Sequence, residues 1–194
     1  MTFENSAIFP ITADIDNNDH LTLGGCDVND LTSTYGTPLY VFDEQTLRSM
    51  CRKTISEFST RHSNTRVLYA SKAFINPALA NLVLEEGLGI DVVSGGELAV
   101  AQVVNFPPEL IYFHGNNKSS DELRMALDYG IGRIVIDSFH ELGVLNELAR
   151  SHKIVQNIMV RLSPGVDPHT HTKTATGILD SKFGFSIATG DAAK

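Results

Sequence analysis

Tyr69-Ala70-Ser71-Lys72-Ala73-Phe74 closes the apolar run Val67-Leu68-Tyr69-Ala70 with a lysine, and Asn76-Pro77 follows at once. The run has the length and continuous hydrophobicity of a strand covered on both faces. Asparagine is a favoured N-cap and proline is favoured at the first helical position, so this pair predicts a helix start. Lys72 therefore stands where a strand ends and a helix begins. In parallel α/β folds that edge carries the active site. A loop lysine at such a junction is otherwise an ordinary surface residue, so the rest of the chain must decide.

From Thr37 onward the same unit recurs. Pro38-Leu39-Tyr40-Val41-Phe42 leads through Asp43 into a helical pattern with Leu47, Met50, Ile55 and Phe58 on one face. Gly89-Ile90-Asp91-Val92-Val93 leads through Ser94, residues 110–113 through Ser119, and residues 133–136 through Ser138. Ile158-Met159-Val160-Arg161-Leu162 is the sixth expected strand. Ser94 with Glu97, Ser119 with Glu122, and Ser138 with Glu141 each have the spacing of a capping box. Strand, cap and helix repeating in this way predict parallel βα units, either a (β/α)₈ barrel or an open doubly wound sheet.

No Gly-x-Gly-x-x-Gly follows the first strand and no P-loop sequence occurs, which disfavours the dinucleotide and nucleotide folds. A barrel needs about 250 residues. With six expected strands, the 194-residue sequence reads as the N-terminal part of a longer protein and as a partial barrel. An open barrel has an exposed sheet edge and uncovered apolar faces, so instability or aggregation is expected of such a piece. Residues 1–36 differ from the rest, with one short expected strand in residues 20–25 and a connector with a helical turn over 27–36. The expected division is 1–36 and 37–194.

Composition narrows the classes. A chain 42% hydrophobic and 20% charged can bury a core, and a net charge of -8 argues against nucleic acid or anionic membrane as a partner. Cys26 and Cys51 form no metal-ligand or redox pattern. No stretch approaches the roughly 20 apolar residues of a membrane span, and the N-terminus has no secretory pattern. A cytoplasmic protein is expected.

The strand ends collect Lys72, Asp91, His114 with Asn116 and Lys118, and Arg161. Each has a plain structural alternative: a turn for Asp91, a satisfied imidazole for His114, an ion pair for Arg161, a cap for Glu97. Brought together on one barrel rim, they suggest a lysine surrounded by cations, shielded from water and poised for Schiff-base chemistry, with Asp91 pairing a cation such as Arg161. His169-Thr170-His171 with His114 offers no clear carboxylate or thiolate partner for zinc, so no metal is expected. These histidines are assigned instead to a long loop running from Ser163-Pro164-Gly165 to Thr176-Gly177, and loops of that length are usually functional. His140 and His152 read as structural.

Taken in order, several motifs resemble the diaminopimelate decarboxylases, which belong to the alanine-racemase-like, fold-type III group of pyridoxal-phosphate enzymes. They are Tyr35-Gly36-Thr37-Pro38-Leu39-Tyr40-Val41, Tyr69-Ala70-Ser71-Lys72-Ala73, Asp91-Val92-Val93-Ser94-Gly95-Gly96-Glu97, His114-Gly115-Asn116-Asn117-Lys118, Arg161 with Pro164-Gly165, and Thr176-Gly177 before Asp180-Ser181-Lys182-Phe183-Gly184. The resemblance implies a partial TIM-type barrel that binds pyridoxal 5'-phosphate, with Lys72 as the catalytic, cofactor-bearing lysine. Asp91, Arg161, Glu97 and His114 match positions near the cofactor. It further implies a first segment belonging to a C-terminal β-domain, a homodimer, and conversion of meso-2,6-diaminopimelate to L-lysine and CO₂. The family's cofactor-stacking histidine, glycine-rich phosphate site and substrate-carboxylate arginine have no complete counterpart in this sequence, so the chain alone is expected to have little activity. The alternatives are a related decarboxylase of another basic amino acid and a non-catalytic regulatory protein on the same barrel.

Overall fold

The computed structural model describes residues 8–166 and 183–194. His169, His171 and the Thr176-Gly177 and Asp180-Ser181-Lys182 motifs lie outside the described residues. Contacts divide the chain after Val67 into two compact units.

In the first unit, β1 (Asp14–Ile15), β2 (Leu21–Leu23) and β3 (Cys26–Asp27) form an antiparallel sheet in that order. Asp16 Oδ1 accepts from the amides of Asn18 at 2.8 Å and His20 at 2.9 Å, which turns the chain from β1 into β2. Helix α1 (Val28–Tyr35) starts at Asp27, and α2 (Glu44–Ser59) at Asp43, whose Oδ1 accepts the Thr46 amide at 2.7 Å. Asp43 Oδ2 accepts from the Thr12 hydroxyl at 2.7 Å, so the cap also ties α2 to the N-terminal chain. α2 thus groups by contacts with the N-terminal segment, in the unit that ends at Val67.

The strand expected at residues 38–42 does not form. Tyr40 is 90% exposed and Phe42 53%, and no strand among the described residues supplies a ladder for their backbone. The expected apolar face of α2 is only partly covered: Met50 and Phe58 are exposed, and none of the helix's residues is buried.

The second unit is built on five parallel strands, β4 (Leu68–Ala70), β5 (Gly89–Val92), β6 (Ile111–Phe113), β7 (Arg133–Ile136) and β8 (Ile158–Val160). Their spatial order is their chain order. A doubly wound sheet reverses direction at a switch point; this one does not, so it follows barrel topology. The chain continues through Arg161 into β9 (Leu162–Ser163), which pairs in parallel with β10 (Phe185–Ser186). That last strand had no expectation in the sequence.

Helices α3 (Pro77–Glu85), α4 (Gly95–Val103), α5 (Ser120–Tyr129) and α6 (Phe139–His152) connect successive strands. Ile90, Val92, Ile111, Phe113, Ile134 and Ile136 are fully buried, together with Leu98, Ala101 and Phe106. Burying such a side chain contributes roughly 1.5–3 kcal/mol, which makes the central strands the stable part of the unit. β8 is different: all three residues are exposed, as expected of an open edge.

The helix starts are as read, with one refinement. Asn76 caps α3 by accepting the Leu79 amide at 2.8 Å, with Pro77 at the first helical position. Only Ser119 and Glu122 make a complete capping box. Glu97 and Glu141 reach one residue further back, accepting the amides of Val93 at 2.8 Å and Asp137 at 3.0 Å. Those amides belong to the strand ends, so the two glutamates clamp each helix start to the rim of the sheet.

Candidate active site

Ladder hydrogen bonds carry register past the strand ends. The Ser71 amide donates to Asp91 O at 2.9 Å, the His114 amide to Val92 O at 2.8 Å, and the Arg161 amide to Ile136 O at 3.0 Å. Register pairs Ala70 with Asp91. Ser71, Lys72, Asp91, His114, Asp137 and Arg161 are thereby collected at one end of the sheet, where the strands give way to helix N-termini.

Asp91 and His114 form the centre of this group. His114 Nε2 is 3.8 Å from Asp91 Oδ1, with side-chain exposures of 37% and 23%. Burial pushes the Asp91 carboxyl up to about 6, with Lys72 pulling it down and Glu97 pushing it up. Burial also holds the His114 imidazole below its usual range, and Lys118, Arg161 and Lys72 add to that. An imidazole whose pKa is lowered thus sits within the field of three cations and beside a carboxyl raised to about 6. Lys72 itself is exposed, so the expected shielding of this lysine from water is not provided by the described residues.

Behind this surface lies a buried charged layer. Lys118 Nζ donates to the carbonyls of Gly115 at 2.6 Å and Val135 at 2.8 Å, and lies 2.8 Å from Glu141 Oε1. The two side chains are 1% and 7% exposed. Asp137, 4% exposed, accepts from Arg161 at 3.1 Å through Oδ1 and from the Gly184 amide at 3.0 Å through Oδ2. The Arg161 guanidinium also stacks 4.2 Å from the Phe183 ring.

Lys72, Asp91, His114, Glu97 and Arg161 are therefore neighbours on one rim, with Glu97 engaged by the Val93 amide and Arg161 by Asp137. Asp91 is coupled electrostatically to Lys72 and not to Arg161, whose carboxylate is Asp137. That corrects the expected Asp91–Arg161 pair: Asp137 follows β7, next to the strand that ends in Arg161. Sequence reasoning missed Asp137 and the second role of Glu141. Their signal was the repetition of Asp137-Ser138-x-x-Glu141 after Val93-Ser94-x-x-Glu97, which placed a carboxylate at a strand end.

Three buried side-chain oxygens have no hydrogen-bond partner among the described residues: Glu141 Oε1, which lies 2.8 Å from the Lys118 ammonium, and, at the rim, Ser71 Oγ and Asp91 Oδ1. Buried polar atoms are nearly always satisfied, so two orphans flanking a strand-end lysine fit a site that receives a polar ligand. An amine able to bond a carbonyl carbon, beside a carboxyl and an imidazole, fits a pyridoxal group.

A parallel βα rim with a lysine just past the end of its first strand is compatible with an enzyme that holds a carbonyl cofactor. The sequence assigns the family: residues 46–194 match "Pyridoxal-dependent decarboxylase, pyridoxal binding domain", and the chain belongs to it. Pyridoxal phosphate is the cofactor of that domain, and the fold is a partial TIM-type barrel.

Among curated relatives, the diaminopimelate decarboxylase of Bacillus methanolicus is 46% identical over 183 residues, covering 94% of this chain and 42% of its own length. That of Bacillus subtilis is 47% identical over 171 residues, covering 88% and 39%. The solved diaminopimelate decarboxylase of M. jannaschii in complex with L-lysine superposes with a TM-score of 0.82 at 35% identity, over 94% of this chain and 43% of that one. The chain thus spans about two fifths of the length of these relatives.

Proposed function

We propose that this chain is the pyridoxal-binding part of a diaminopimelate decarboxylase, acting on meso-2,6-diaminopimelate to give L-lysine and CO₂. The observation that carries the reading is the rim itself: Lys72 at a strand end, with Asp91 and His114 3.8 Å apart beside it and two buried oxygens without partners. The identity to diaminopimelate decarboxylases over nine-tenths of the chain supports the choice of substrate.

Bound pyridoxal phosphate supplies an electron-withdrawing ring that accepts the electron pair left when a carboxylate departs as CO₂. Lys72 would hold the cofactor through its carbonyl carbon, and its Nζ could take up or return a proton. Asp91 and His114 line the same end of the sheet, a carboxyl and a neutral imidazole able to exchange hydrogen bonds with the cofactor ring and its substituents. Glu97 holds the Val93 amide, which fixes the backbone that carries Asp91. Arg161 adds a fixed positive charge.

By the same reading, residues 1–36 contribute to a second, β-rich domain. The whole protein is a cytoplasmic homodimer that takes a small amino acid and neither nucleic acid nor membrane as partner. No helix among the described residues is long and apolar enough to cross a membrane.

The test is CO₂ release from meso-diaminopimelate, L-ornithine and L-arginine, with pyridoxal phosphate added. It is run on the chain itself and on a chimera in which residues 1–194 replace the matching part of the Bacillus methanolicus relative. The expected result is L-lysine formation from diaminopimelate by the chimera and little turnover by the chain alone. A chimera that folds and prefers ornithine or arginine contradicts the substrate assignment.

A further inference from the structure

Asp137 is a buried carboxylate to which the proposed reaction gives no role. It follows β7 directly, and Arg161 follows β8 directly, so the ladder bond from the Arg161 amide to Ile136 O brings the two side chains alongside. One carboxylate oxygen accepts from the Arg161 guanidinium at 3.1 Å, and the other accepts the Gly184 amide at 3.0 Å. Its own amide donates to Glu141 Oε2 at 3.0 Å, which fixes the backbone from which the carboxylate projects.

The opposite side of Arg161 is equally constrained. Gly184 has φ +71°, and a Cβ there would lie 2.7 Å from Arg161 O and 3.2 Å from Arg161 Cγ. A glycine is therefore needed for this backbone to lie against Arg161 and donate to Asp137. The Phe185 amide donates to Arg161 O at 2.8 Å, and the Phe183 ring stacks on the guanidinium at 4.2 Å. Arg161 is thus held by Asp137, by the backbone of residues 184–185 and by an aromatic face, while 30% of its side chain remains exposed. Arg161 and Lys72 both act electrostatically on His114, so the guanidinium belongs to the same end of the sheet as the lysine.

We infer that Asp137 is the positioning residue for Arg161, orienting the guanidinium at the rim through Oδ1 while Oδ2 fastens the start of β10. The catalytic use of this pair rests on the reading of the Lys72 rim as the pyridoxal site; the pair itself does not. A buried carboxylate with two donors from different strands does more than balance charge, because each bond fixes a direction.

The experiment uses the full chain as wild type, Asp137→Asn, Arg161→Lys, Arg161→Ala and the Asp137→Asn/Arg161→Ala double variant. Two quantities are measured: solvent exchange of the Arg161 guanidinium protons by NMR, and the apparent Kd for pyridoxal phosphate. Asp137→Asn is expected to speed Arg161 proton exchange and to raise the apparent Kd in the same direction as Arg161→Ala and by no more than that variant does, since Asp137 acts only through Arg161. Arg161→Lys, with Asp137 intact, is expected to reproduce the rise in Kd if Asp137→Asn does not fold. The double variant should bind no more weakly than Arg161→Ala alone. Wild-type exchange rates in a folded Asp137→Asn chain, or a double variant that adds the full loss of both singles, overturns the inference. A folded chimera carrying residues 1–194 in the Bacillus methanolicus relative that takes up no pyridoxal phosphate on Lys72 overturns the cofactor reading, and the exchange rates still decide the Asp137–Arg161 contact.

Discussion

His114 Nε2 stands 3.8 Å from Asp91 Oδ1, an oxygen without a hydrogen-bond partner among the described residues. The carboxyl is pushed up to about 6 by burial, against the pull of Lys72 and with a push from Glu97. The folded chain therefore holds this proton more tightly than the unfolded chain, whose carboxyl titrates near 3.8. The sign follows: the group favours folding least above both values, and stability falls as pH rises from 3.8 through about 6. Removing the charge with Asp91→Asn should raise the stability of the ligand-free chain at about pH 8 by on the order of 2 kcal/mol and change it little near pH 4. Urea denaturation at the two pH values checks this; an equal effect at both contradicts it.

Lys118 and Glu141 are a buried ion pair, and their worth depends on both being present. Lys118→Met leaves Glu141 without its cation in a site where its carboxylate is 7% exposed. Breaking one partner of such a pair costs about 3–5 kcal/mol, whereas replacing both by apolar groups is often nearly neutral. Lys118→Met is expected to lower the urea midpoint sharply, and adding Glu141→Leu to recover only part of the loss, because the Asp137 amide then loses its acceptor. A double variant as unstable as the single would show that the charges contribute by more than mutual compensation.

Gly89 opens β5 with no room for a side chain. A Cβ there would lie 2.4 Å from Leu110 O and 2.6 Å from Leu68 Cδ2, so Gly89→Ala must push neighbouring strands apart, at a cost of about 1–3 kcal/mol. Gly143, inside α6, meets nothing within 4 Å. Gly143→Ala should stabilise by about 0.5–1 kcal/mol through helix propensity alone. Thermal melting of the two variants should move in opposite directions.

Much of this arrangement was legible in the sequence. The parallel units were, because each strand from β4 to β7 is a short apolar run followed by a capping residue, and Asn76-Pro77 and the three serines mark the helix starts locally. The rim residues followed from standing at strand ends, a position that needs no knowledge of neighbours. Residues 38–42 misled because an apolar run forms a strand only if a partner strand meets it, and none among the described residues does. The Asp137–Arg161 and Lys118–Glu141 pairs were hidden for a related reason. Each joins residues more than twenty positions apart, and only the register of adjacent strands brings them together. The exposure of Lys72 was equally unreadable, since it depends on what covers the rim.

The central claim is that Lys72 is the residue that takes up pyridoxal phosphate. The most direct measurement is borohydride reduction of the chain with pyridoxal phosphate, followed by peptide mass mapping, with Lys72→Ala as the comparison. The account predicts a pyridoxyl adduct confined to the peptide containing Lys72 and lost in the variant. An adduct distributed over other lysines, or one that survives Lys72→Ala in full, contradicts it.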